Sequence, residues 1–104
     1  MEMIFVITTV AGEAEAEKIS DTLIGEKLIA CANFFPIKSR YWWKGKLEEQ
    51  SEVMVILKTL KEKYPQIEMR IRQLHSYEIP EILSLEVLDS SLPFLQWVEK
   101  TVRK

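Results

Sequence analysis

The sequence predicts an α+β fold: one antiparallel sheet, helices packed against it, and a central hairpin with unusually long arms. Three observations predict it. Short β-branched apolar runs alternate with stretches whose apolar residues recur every three or four positions. A Lys44-Gly45 pair sits between two long strand-like arms, and Gly or Pro falls where the pattern changes.

Residues 3–10, Met-Ile-Phe-Val-Ile-Thr-Thr-Val, are too short and too β-branched for a helix, and read as a central strand buried on both faces. From Glu13 to about Lys27, Ala16, Ile19, Leu23 and Ile24 share one helical face, with acids early and Lys27 late, as a helix dipole favours. Residues 28–43 read as a strand in which Pro36, lacking an N–H, marks an edge or a bulge. Lys44-Gly45 makes the turn and Lys46 to Lys58 the return arm, with Val53, Val55 and Leu57 on one face and Met54 and Ile56 on the other. Arms of ~14 residues exceed the usual strand of about 5–6, and their apolar surface needs an external cover.

Thr59-Leu60-Lys61-Glu62 has capping-box spacing, and Ile67, Ile71 and Leu74 form a helical stripe ending at His75. Pro65 implies that the regular helix starts there or that its first turn is irregular. Residues 82–87 form a short strand. Ser91 and Pro93 then open a last helix with Leu95, Val98 and Val102 inward. The order β-α-β-β-α-β plus a C-terminal helix is that of the split βαβ, or ferredoxin-like, sandwich.

With 104 residues, 47% hydrophobic and 29% charged, the chain is expected to be one globular domain over 1–104. Net charge −2 provides no basic field; Lys38, Arg40, Lys44 and Lys46 are followed at once by Glu48, Glu49 and Glu52. No nucleic-acid partner is expected. Cys31 is the sole cysteine, so no intrachain disulfide forms, which suits a reducing compartment. The first residues, Met-Glu-Met-Ile-Phe, lack a signal-peptide pattern, and no apolar run reaches ~18 residues. The cytoplasm is the expected location, with no membrane association.

Residues 28–33 (Leu-Ile-Ala-Cys-Ala-Asn), 41–46 (Tyr-Trp-Trp-Lys-Gly-Lys), 57–59 (Leu-Lys-Thr) and 74–82 (Leu-His-Ser-Tyr-Glu-Ile-Pro-Glu-Ile) resemble, in order and spacing, the signature blocks of the CutA family of divalent-cation tolerance proteins. Ser76 stands where that family usually has proline. The resemblance implies a ferredoxin-like protomer in a tight homotrimer, its hairpins reaching across to neighbours. It also implies a role in tolerance of copper and other divalent metals.

Three groups of residues are candidates for a site. Cys31, His75, Glu78 and Glu81 offer the thiolate, imidazole and carboxylate donors that copper and zinc accept, although no CxxC or HxxxH spacing is present. The plainer reading is a buried small Cys31 and a His75 capping the preceding helix. Tyr41, Trp42 and Trp43 alternate across a strand, so they are expected to pack a subunit interface rather than to stack bases. Lys58 and Thr59, with Tyr77, could receive a small anion at a helix start; the plainer reading is a cap and a solvated lysine. With one histidine and no nucleophile-elbow serine, no enzyme is expected. The leading expectation is thus a homotrimeric, copper-binding tolerance protein; the alternative is a signalling or scaffold trimer holding a small anionic ligand or a partner protein.

Overall fold

A computed structural model describes residues 2–103; Met1 and Lys104 of the expected 1–104 domain lie outside the described residues. Its elements are β1 (Met3–Val10), α1 (Glu13–Gly25), β2 (Cys31–Trp43), β3 (Lys46–Leu60), a 3-10 turn (Lys61–Lys63), α2 (Tyr64–Leu74), β4 (Leu83–Glu86) and α3 (Leu92–Val102). The strands form one sheet in the order β2-β3-β1-β4 with every neighbour antiparallel, which is the split βαβ arrangement.

Strand alternation sorts the sheet into two faces. Ile4, Val6 and Val10 of β1 lie with Val53, Val55 and Leu57 of β3 beneath Ala16, Ile19 and Leu23 of α1 and Ile67 and Ile71 of α2, all buried. On the opposite face α3 covers one end only, where Val98 and Val102 pack on Met3 and Leu60. Past that end, Met54 and Ile56 remain half-buried, so the burial expected on both sides of β3 is achieved on one.

Lys44 (φ 51°) and Gly45 (φ 79°) are both left-handed, as a two-residue type I′ hairpin turn requires, and Trp43 pairs with Lys46 across it. The end of α1 is closed less predictably. The Leu28 N–H donates to the Leu23 carbonyl and the Lys27 N–H to the Ile24 carbonyl, both at 3.0 Å, with Lys27 at φ 62°. This is a Schellman motif whose left-handed position carries lysine instead of the usual glycine. Leu28–Ala30, expected in β2, belong to this buried connection instead.

The capping box is absent. Thr59 is still in β3, and its hydroxyl donates to the Leu28 carbonyl at 2.7 Å in the core. α2 begins with Tyr64-Pro65 after the irregular 3-10 turn. Ser91 occupies the N-cap of α3 without a side-chain cap bond. No described helix is long and apolar enough to cross a membrane.

Candidate functional site

The segment after α2 is fastened to both halves of the fold. His75, its side chain fully buried, lies with Nε2 2.8 Å from the Thr9 carbonyl, and its Nδ1 accepts the Tyr77 N–H at 3.1 Å. Those partners require the neutral tautomer with the proton on Nε2. His75 therefore caps α2 through its backbone N–H, which donates to the Ile71 carbonyl at 2.8 Å, as the capping reading expects, while its ring ties the segment to β1. The Ser76 N–H and hydroxyl both donate to Glu15 of α1, at 2.8 and 2.9 Å. A proline here would have no N–H to give; the turn is held by hydrogen bonds to a carboxylate rather than by a ring.

So positioned, Tyr77 reaches the hairpin. Its hydroxyl donates to Glu52 Oε2 at 2.6 Å and accepts from Gln50 Nε2 at 3.0 Å, while the Tyr41 hydroxyl donates to Gln50 Oε1. Burial, and secondarily the carboxylate beside it, push the Tyr77 phenol well above its ordinary range, so it stays protonated. Glu52 is only 6% exposed. Between the hairpin and residues 76–81 lies a cleft of about 850 Å³, lined among others by Tyr41, Trp43, Glu52, Tyr77, Glu78 and Glu81.

The expected groupings do not assemble in one protomer. Cys31 is level with Lys58 and Phe5, whereas His75 binds the backbone at Thr9, four residues further along β1. That is about 13 Å at strand rise. Among the described residues no three of His, Cys, Asp and Glu are placed to hold a metal ion, so Cys31, His75 and Glu78 do not form the predicted set. The reason is physical: both His75 nitrogens are engaged, and Cys31 begins the far end of an edge strand.

Lys58, Thr59 and Tyr77 do not form an anion site either. Lys58 and Thr59 are neighbours on a strand and face opposite ways; Lys58 Nζ lies 5.4 Å from the Phe5 ring centre. Thr59 is fully buried on Leu28, and Tyr77 bonds to the hairpin instead.

The aromatic trio splits as strand alternation requires. Trp42, 74% exposed, pairs with Leu47, 66% exposed, while Tyr41 and Trp43 turn to the cleft. Sequence reasoning missed Gln50 and Glu52, because Glu48, Glu49 and Glu52 entered it only as acids offsetting the basic residues before them. The available signal was position: Gln50 and Glu52 continue the face of Met54 and Ile56.

The sequence profile of the CutA1 divalent ion tolerance protein family matches residues 4–101. The divalent-cation tolerance protein CutA of Pyrococcus horikoshii is 41% identical over 102 residues, spanning 98% of this chain and 100% of its own. Solved structures agree. The periplasmic divalent cation tolerance protein CutA of Archaeoglobus fulgidus superposes with a TM-score of 0.95 at 38% identity, over 96% of this chain and 98% of that one. CutA1 of Oryza sativa superposes with a TM-score of 0.96 at 30% identity, over 100% and 96%.

Proposed function

This chain belongs to the CutA1 divalent ion tolerance family, and on that premise we propose that it acts as a homotrimer binding a divalent metal ion, copper foremost, at a site shared between subunits. The supporting observation is the hairpin. Its distal half carries the Trp42–Leu47 pair in the open, where a stable soluble fold gains by burying it. Sister copies wrapped around it supply that cover and pair the long β2 edge.

Among the described residues of one protomer no fitting ligand set assembles, so the shared site draws on donors left accessible, the partly exposed Cys31 and the exposed Glu78. In this reading the protein is a cytoplasmic binding protein and not an enzyme. Calorimetric titration of Cu(II) into the assembled protein tests it. Cys31→Ser is expected to abolish binding, and so is Trp42→Ala, which takes the trimer apart. Undiminished binding by dissociated Trp42→Ala would refute a shared site.

The cleft beside Tyr77 favours a second reading, a signalling or scaffold trimer that holds a small ligand there.

A further inference from the structure

We infer that the cleft between the hairpin and residues 76–81 takes a small organic cation, its ammonium or guanidinium group on Glu52 and its apolar body against Tyr41 and Trp43. This deepens the ligand-binding reading above and rests on it.

Glu52 is almost wholly buried, yet among the described residues no Lys, Arg or His forms an ion pair with it. Its carboxylate takes one side-chain hydrogen bond, from Tyr77 to Oε2, although a carboxylate offers about four lone-pair positions. A carboxyl group this buried and with one side-chain hydrogen bond has room for further donors, and an ammonium or guanidinium group supplies several. Tyr41 donates to Gln50, Gln50 to Tyr77 and Tyr77 to Glu52, so both phenol protons are committed in one direction along the chain. Glu52 lines the cleft, so a cation entering there can reach the open positions of its carboxylate.

The surroundings select its character. Glu78 and Glu81 add negative charge to the lining, and of the two cations there, Lys38 and Arg40, the second is held by Glu49 at 2.7 Å. Tyr41, Trp43 and Tyr77 bring aromatic rings to the lining, which attract cations and cover apolar bodies, and Lys44 Nζ already lies 5.5 Å from the Trp43 ring centre. The volume of about 850 Å³ falls within the usual range of small-molecule sites, roughly 300–1,000 Å³. An anion, the ligand class expected from Lys58 and Thr59, is the wrong sign for this cleft.

Three probes with one ring and different charge test the inference: phenethylammonium, 2-phenylethanol and phenylacetate, titrated into isotope-labelled assembled protein and followed by NMR. Phenethylammonium is expected to shift the Gln50 side-chain amide and the Trp43 indole N–H saturably. The alcohol should bind at least tenfold more weakly and phenylacetate more weakly still. Glu52→Gln, whose amide oxygen can still accept the Tyr77 hydroxyl, should erase the preference for the ammonium. An alcohol or phenylacetate that bound as tightly, or a preference surviving Glu52→Gln, would overturn the assignment of charge while leaving a ligand cleft in place. No shift with any probe would overturn the ligand-binding reading itself. Should Glu52→Gln fail to fold, the three-probe comparison on the wild-type protein decides alone.

Discussion

The two ends of the hairpin follow different rules. At its base, Val53, Val55 and Leu57 lie under α1 and α2, with Leu60 on the other face against α3. Toward the tip, Trp42 and Leu47 meet each other and water. The molecule measures 45 × 25 × 22 Å, and its long axis matches the ~43 Å that a thirteen-residue strand such as β2 spans at ordinary rise. Intrachain packing therefore covers one face of the base and little of the tip. In the trimeric assembly proposed above, the bare tip is the surface that a second copy would cover.

The largest expected effect lies at the base. Leu57→Ala should lower protomer stability by ~2–5 kcal/mol, seen as an earlier urea midpoint, because the fully buried site cannot collapse around the lost carbons. A change below 1 kcal/mol would break the contrast between base and tip.

A matched pair of substitutions sharpens it next. Thr59 and Thr8 are both fully buried, but the Thr59 hydroxyl bonds to the Leu28 carbonyl while Thr8 Oγ1 has no partner among the described residues. Thr59→Val should cost about 1–3 kcal/mol by orphaning that carbonyl. Thr8→Val should instead stabilise by about 1 kcal/mol, since it removes an unsatisfied hydroxyl of nearly the same shape. Equal effects from the two would contradict the hydrogen-bond assignment.

The smallest effect concerns the closure of α1. Lys27 occupies the left-handed position of the Schellman motif, so Lys27→Gly should stabilise by about 1 kcal/mol in thermal melts, despite glycine's entropy in the unfolded chain. A loss there would mean that Lys27 contributes something beyond backbone geometry.

Much of the fold was legible because hydrophobic periodicity follows burial directly. The alternation of β1 and β3 and the three-and-four spacing of α1 and α2 are imprints of the sheet faces they share. The errors fall where local spacing imitates a motif that the chain's continuation cancels. Thr59-x-x-Glu62 has the letters of a capping box, but β3 runs on to Leu60 and spends the hydroxyl on Leu28.

The site was less legible. Cys31 and His75 invite a metal reading by chemistry alone, and only the strand register separates them. Glu52 lies so close to Glu48 and Glu49 that only its place on the strand face of Met54 and Ile56 marks it as different. Tyr77, twenty-five positions on, covers it through contacts made only after His75 and Ser76 are fastened to β1 and α1. Contacts of such separation leave no periodic trace.

Sedimentation of the unmodified chain at micromolar concentration tests the central claim, that sister copies cover the distal hairpin. A single folded species of about three times the 12.2 kDa chain mass is the predicted result. A folded species sedimenting at 12.2 kDa would contradict it.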